Sequence, residues 1–446
     1  MNHQSPTGFP DFSIERLGPA IVESPLLKQF DDASGFFVGD DVRTLYDTVG
    51  VAWSHGSMPS EIDAVNMEMA GPRRFIYFEP DQVKAGIVTC GGLCPGLNNV
   101  IRSLVLSLSN QYGVREILGF RYGYSGLVES GTPPMELSPE VVDPIHLNGG
   151  TFLGSSRGPQ EIGEMLNFLR LRKVNILFTI GGDGTQKGAM LLAQEAIKQR
   201  YPLSVIGLPK TIDNDINFVD RTFGFETAFS LADQALRAAY AEARGVINGI
   251  GMVKLMGRHS GYITALSSLA HGQVNCVLIP EVKFDIEGPS GFLRVLQSIL
   301  DRQRFALIAI AEGAGQDLLE DEVKKAGTDA SGNQKLADIG IALRKAIEAY
   351  AKSRRMTVNV RYIDPSYMIR SAVATPNDSV FCLQLAQHAV HAAMSGRTSM
   401  IVGIWKNTFT HIPMCTAIDQ KRKIDPCSSI WQCVLQSTNQ PASMKN

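Results

Sequence analysis

The run Gly207-Leu-Pro-Lys-Thr-Ile-Asp-Asn-Asp-Ile216 sets two carboxylates, Asp213 and Asp215, two residues apart and close behind Lys210 and Thr211. This is the raw material of a base, metal and phosphate constellation: one carboxylate to accept a proton, and a cation and a hydroxyl to meet an anion. Moving a phosphoryl group onto an alcohol requires such parts, rigidly positioned. Read alone, the run is better explained as a polar turn with Asx caps. A second run, Phe178-Thr-Ile-Gly-Gly-Asp-Gly-Thr-Gln-Lys-Gly188, places Asp183 between Gly182 and Gly184. A carboxylate so flanked suits Mg²⁺, which takes one or two carboxylates plus substrate phosphates while neighbouring amides hold the phosphate chain. Its bland reading is a helix cap. A third run, from Gly86 to Arg102, carries Gly91, Gly92 and Gly96 between a strand and a helix. Glycines there admit backbone N–H groups to a polyphosphate, and the helix N-terminus adds a favourable partial charge. Neither GxxxxGK[ST] nor GxGxxG is present, so a plain tight turn stays open.

The elements that position these runs follow from hydrophobic pattern. Short apolar stretches at 84–89, 175–180, 203–208, 250–255, 274–279 and 305–311 alternate with amphipathic ones, as repeated βα units do. Stretches such as Asn175-Ile-Leu-Phe-Thr-Ile180 are continuously apolar, the mark of strands buried on both faces of a parallel sheet. Doubly wound sheets are therefore expected, with ligands at the carboxyl ends of strands, where all three runs lie. Gly249-Ile-Gly251 resembles a nucleotide fingerprint but continues into Met252-Val-Lys254 and reads as strand. Residues 1–80 lack the βα rhythm, hold Pro10, Pro19, Pro25 and Pro59, and predict an irregular arm with one strand near Phe75–Phe78. A surface loop is expected at 316–334 and a loosely ordered tail after about Ile424.

A chain of 446 residues, 44% hydrophobic, fills two or three packed units. A net charge of −2 with 19% charged residues supplies no long-range field for nucleic acid or an anionic membrane, so anions must be held by local clusters. The seven cysteines are scattered without CxxC pairs, as expected of a reduced compartment. No signal-like start and no run of about 18 apolar residues is present, which predicts a cytoplasmic protein that does not span a membrane.

Taken in order, these runs resemble the phosphofructokinase family from about Lys84 to about Trp405. The resemblance includes Val253-Lys-Leu-Met-Gly-Arg258 with Ser260-Gly261, Ile279-Pro-Glu281, Ala311-Glu-Gly313 and Asp364-Pro-Ser-Tyr-Met-Ile-Arg370. It implies two doubly wound, Rossmann-like α/β lobes with the active site between them, plus the arm. The expected bounds are 1–80 for the arm, 81–230 for a nucleotide-binding lobe, 231–420 for a sugar-phosphate lobe and 421–446 for the tail, with segments exchanged between lobes allowed. The implied activity is transfer of a terminal phosphoryl group to the 1-hydroxyl of fructose 6-phosphate with Mg²⁺. Gly92, Tyr124, Arg157, Gly158, Gly182, Asp183, Gly184 and Thr185 fall on ATP-binding positions, Asp183 being the metal carboxylate. Thr211, Ile212 and Asp213 match the sugar-side segment, with Asp213 the implied base. Met256, Gly257, Arg258 and Glu312 would hold the fructose moiety, Arg258 also steadying the moving phosphoryl. Tyr367, Met368, Ile369 and Arg370 fall where the family grips the 6-phosphate. A homotetramer is implied by the same analogy.

The donor turns on two positions. Pyrophosphate-using relatives place aspartate after the metal carboxylate and lysine before the Thr-Ile-Asp segment; this chain has Gly184 and Lys210. The glycine leaves room for an α-phosphate, so ATP is expected, with pyrophosphate the alternative. That combination and the long arm resemble the long ATP-using enzymes of trypanosomes and plants. An upstream sugar-phosphate arginine of short bacterial enzymes is replaced by Val246-Ile-Asn-Gly249, with Arg244 or Lys254 as possible substitutes and Arg361 left open. Effector rules of the short enzymes do not transfer. Other kinases with a Gly-Gly-Asp-Gly turn, and a noncatalytic sensor, are the rival readings.

Overall fold

The protein is described from a computed structural model covering residues 10–30, 35–46, 66–328 and 334–446. It divides into two compact units. The first comprises 1–211, 216–224 and 373–420; the second comprises 212–215, 225–372 and 421–446.

In the first unit the predicted apolar runs form Lys84–Thr89, Ile176–Gly181 and Ser204–Pro209, parallel and in register from Ala85 opposite Ile176 to Thr89 opposite Ile180. Ile87, Leu177 and Ile206 are wholly buried, which is why these runs are apolar on both faces. Met400–Trp405 continues the parallel order beyond Ser204–Pro209, and Glu116–Phe120 does so beyond Lys84–Thr89. Antiparallel strands Thr408–Pro413, Asn66–Met69 and Arg43–Leu45 close one edge. Chain order reverses between Lys84–Thr89 and Ile176–Gly181, so the two glycine turns leave neighbouring strands at the switch point of the sheet.

The second unit holds a four-stranded parallel sheet in the order Cys276–Leu278, Phe305–Ala311, Gly249–Leu255, Asn359–Ile363. Its core includes Ile250, Met252, Phe292, Ile308, Leu343 and, from the chain's end, Met444. Gly249-Ile-Gly251 is strand, as its continuation into Met252-Val-Lys254 predicts.

These bounds differ from the expected 81–230 and 231–420. Residues 373–420 return to the first unit because Met400–Trp405 and Thr408–Pro413 complete its sheet. The expected loose tail instead contains the helix Ser429–Thr438, with Trp431 and Val434 buried. Part of the expected loop is the helix Glu320–Ala326, whose acidic first turn and Lys324 and Lys325 in the last turn match the helix dipole. Residues 329–333 of that loop, and Pro59 of the arm, lie outside the described residues.

The described parts of the arm are more ordered than its composition suggests. Phe75–Ile76 pairs with Val22–Glu23, and Glu15–Arg16 pairs with Arg397–Thr398. A charge cluster ties it down: Glu68 accepts from Arg397 Nε, from Arg73 Nη2 at 3.2 Å and from Arg16 Nη2 at 3.1 Å, and lies 2.9 Å from His411 Nδ1. Burial alone would raise the Glu68 carboxyl, but His411 and Arg397 hold it well below the usual carboxylate range. Asp40 bridges the same arginines, 2.8 Å from Arg397 and 3.0 Å from Arg73. Among the described residues no helix is long and apolar enough to cross a membrane.

Glu68→Ala would remove the buried carboxylate shared by Arg397 and Arg73 and leave them the half-exposed Asp40. We expect it to cost about 3–5 kcal/mol in urea unfolding, whereas Arg16→Ala, half in solvent, costs about 1 kcal/mol or less.

Candidate active site

In the first unit the glycine turns meet. Cys90 N–H donates to the Ile180 carbonyl at 2.9 Å, Gly91 N–H to Ser156 at 3.0 Å, and Lys210 N–H to Gly181 at 3.0 Å. The buried Lys210 Nζ donates to the Gly92 carbonyl at 2.8 Å. A Cβ on Gly92 would come 3.6 Å from Arg157 Nη2, so Arg157, with Gly158 at φ +110°, flanks the turn. Gly182 caps the helix Asp183–Lys198 without offering a side-chain acceptor, and Asp183 stands in its first turn. That N-terminus favours an anion. Gly184 is exposed, and a Cβ there would meet nothing within 4 Å. Thr185 and Tyr124 lie beneath this surface: both are buried, and Tyr124 Oη donates to the Thr185 carbonyl at 2.6 Å. Tyr124 therefore braces the helix start from below.

In the second unit Ile212–Asp215 is an isolated stretch, while Thr211 belongs to the first unit, where its carbonyl accepts from Thr222 Oγ1 at 2.6 Å. Asp213 Oδ2 accepts from the Arg258 N–H at 3.2 Å. Burial first, then the charges of Asp215 and Glu312, push the Asp213 carboxyl up to about 7 against the opposing Arg258 amide and Arg370. Met256 and Gly257 lead into Arg258. Gly257 sits at φ +128°, and a Cβ there would lie 2.5 Å from the Ser260 carbonyl, so only glycine fits without strain. Glu312 is anchored by its N–H on the Leu255 carbonyl at 2.8 Å, and its carboxyl is raised by burial despite Arg370, Lys254 and Arg258. Arg370 Nη2 stands 4.0 Å from Glu312. Arg258 donates through Nη2 to the Gln334 carbonyl. Nε of both Arg258 and Arg370 is buried with no hydrogen-bond partner among the described residues. Two such guanidinium donors suit recognition of an anion.

On the short helix Ser366–Arg370, Tyr367 and Met368 are 87% and 77% exposed, whereas Ile369 is core, so its side chain offers no surface to a ligand. Lys254 pairs with Asp338 at 2.7 Å and Asp364 at 3.0 Å, and Arg244 lies over the rings of Tyr240 and Phe305. Both side chains thus have partners within the second unit. Arg361 is exposed, 3.5 Å from Glu242. Sequence reasoning missed Lys421, whose Nζ lies 2.7 Å from Asp215 Oδ2. Its only signal was the basic run Lys421-Arg422-Lys423 inside the presumed tail.

A doubly wound α/β protein with an anion-ready helix start in one unit and a basic carboxylate beside two arginines in the other has the outline of a phosphoryl-transfer enzyme. The phosphofructokinase family profile matches residues 84–393, most of the chain, and the chain belongs to that family. It is 45% identical over 444 residues to "ATP-dependent 6-phosphofructokinase" of Borreliella burgdorferi, covering 98% of each chain. The like-named protein of Trypanosoma cruzi is 46% identical over 390 residues, covering 86% of this chain and 79% of the relative. Among solved structures, a pyrophosphate-dependent phosphofructokinase from Marinobacter aquaeolei shares the fold with TM-score 0.65 at 21% identity, over 80% of this chain and 91% of that one.

The two glycines should respond oppositely to alanine. Gly184→Ala, in open space inside a helix, is expected to stabilise by about 0.5–1 kcal/mol, and Gly257→Ala to destabilise by more than about 1 kcal/mol, both read from chemical denaturation.

Proposed function

We propose that the chain transfers the terminal phosphoryl group of ATP to the 1-hydroxyl of fructose 6-phosphate, forming fructose 1,6-bisphosphate in glycolysis, with Asp213 as the base. The observation that carries this reading is 45% identity over nearly the full length of an ATP-dependent 6-phosphofructokinase, joined to a carboxyl raised to about 7. A general base works best when its pKa lies near the operating pH. Gly92, Arg157, Gly158, Gly182, Gly184 and Thr185 hold the donor, Arg157 and the helix start meeting its phosphates while Tyr124 keeps that start rigid. Arg370, with Tyr367, takes the 6-phosphate, and Met256, Gly257 and Glu312 orient the sugar. As the hydroxyl attacks, Asp213 accepts its proton and Arg258 offsets charge on the moving group. Thr211 and Ile212 fix the base's approach.

Open space at Gly184 supports ATP over pyrophosphate. Lys210, the feature shared with pyrophosphate users, spends its amine on the Gly92 carbonyl. For the metal, Asp183 at the helix start fits Mg²⁺. Among the described residues no cluster of three or more His, Cys, Asp or Glu could hold an ion alone, so a bound ion would take phosphate oxygens as its other ligands, the habit of Mg²⁺. When bound, that ion neutralises charge across the phosphates. A cytoplasmic homotetramer is the assembly and location that accord with this reading.

The test is initial rates with fructose 6-phosphate and Mg²⁺, ATP or pyrophosphate being the sole donor. ATP is expected to give a kcat/KM about tenfold or more above pyrophosphate, and Gly184→Asp to erase most of that advantage. A preference for pyrophosphate would overturn the donor assignment, and activity with neither would overturn the whole reading. Because Asp213 acts as the carboxylate and its pKa is raised, kcat should fall as pH drops through about 7. Asp213→Asn should lower kcat by about 10²–10⁴ with fructose 6-phosphate binding retained in calorimetry.

A further inference from the structure

The stretch Ile212–Asp215 has 211 residues before it and belongs to a unit whose next residue is Phe225. Something in that unit must hold it. The residues after Gln420 do so at two points: Lys421 Nζ lies 2.7 Å from Asp215 Oδ2, and the Arg422 N–H donates to the Asp215 carbonyl at 3.0 Å. The strap is itself fastened. Arg422 lies 4.7 Å over the Tyr262 ring, Tyr262 Oη donates to the Lys423 carbonyl at 3.1 Å, and the Ile424 N–H donates to Glu281 Oε1 at 2.8 Å. The same Glu281 oxygen accepts from the Gly261 N–H at 3.0 Å. Gly261 opens the helix that follows Arg258, so one carboxylate fixes both the strap and the loop whose amide meets Asp213.

We infer that Lys421 is a positioning residue for the phosphoryl transfer: paired with Asp215, it seats the segment that carries the base and screens the Asp215 charge from Asp213. This rests on the reading of Asp213 as the base. Asp213 faces the charges of Asp215, Glu312 and Arg370 and the Arg258 amide. On the outer side, His259 lies in the fields of Arg258, Lys421, Asp215 and Lys423, and burial and the neighbouring cations hold it below its usual range. Lys421 is a cation in direct contact with Asp215. Its removal exposes Asp213 to more negative charge, which favours the protonated, inactive carboxyl.

The experiment compares Lys421→Met, Lys421→Arg and the double variant Lys421→Met/Asp215→Asn by kcat and KM across pH 5–9, with thermal unfolding alongside. Lys421→Met should lower kcat at pH 7 about tenfold, leave both KM values within about threefold, and move the acid limb of kcat up by about one pH unit. Lys421→Arg should restore the limb, and the double variant should bring it to the wild-type position or below. An unmoved limb in Lys421→Met would overturn the inference. If that variant does not fold, a double variant whose limb stays above wild type does the same. Failure of the base assignment is separate: it would appear as Asp213→Asn retaining kcat, whatever Lys421 does.

Discussion

Burial makes Asp213 costly to ionise, and the charges of Asp215 and Glu312 add to that cost. Much of the second unit can be understood as the answer to that problem. Arg370 approaches Glu312, the Arg258 amide meets Asp213, and Lys421 meets Asp215. The compensation is incomplete, and the incompleteness leaves one carboxyl near neutrality in its pKa. Full neutralisation would give a weak base; none would leave a protonated one.

Rigidity around these charges comes from backbone rather than from side-chain bulk. Gly257 and Gly313 let two loops touch: a Cβ on Gly313 would fall 2.0 Å from the Arg258 carbonyl. The first unit repeats the device, with Gly188 making room for Tyr124, whose ring would lie 2.7 Å from a Cβ there. In both units a glycine is spent so that a functional residue has no space to wander.

The strands beneath the glycine turns were legible because both their faces are buried, which writes an uninterrupted apolar run into the chain. Asp183 and Asp213 stood out as candidates because each sits in a dense local motif, and Arg258 because its run resembles the phosphofructokinase family. Lys421 was not, since its partner Asp215 lies 206 residues away and a basic run near a terminus ordinarily means solvent. Asn359–Ile363 escaped for a related reason. Its burial is partial and Arg361 interrupts it, so it lacks the signature of an inner strand. Glu68 and Arg397 escaped as well: a buried carboxylate and guanidinium look polar in sequence and become core only once they find each other, across 329 residues.

The way the chain passes between its units has a consequence for biosynthesis. The first sheet lacks two strands until Met400–Trp405 and Thr408–Pro413 exist, and the second unit lacks its strap until residues after 420 exist. The first unit waits for residues 373–420 and the second for residues after 420, so neither is finished before most of the other has been synthesised. Until residues 400–413 have been made, the strand Ser204–Pro209 therefore has an open edge, and an unpaired edge is a template for pairing with other chains.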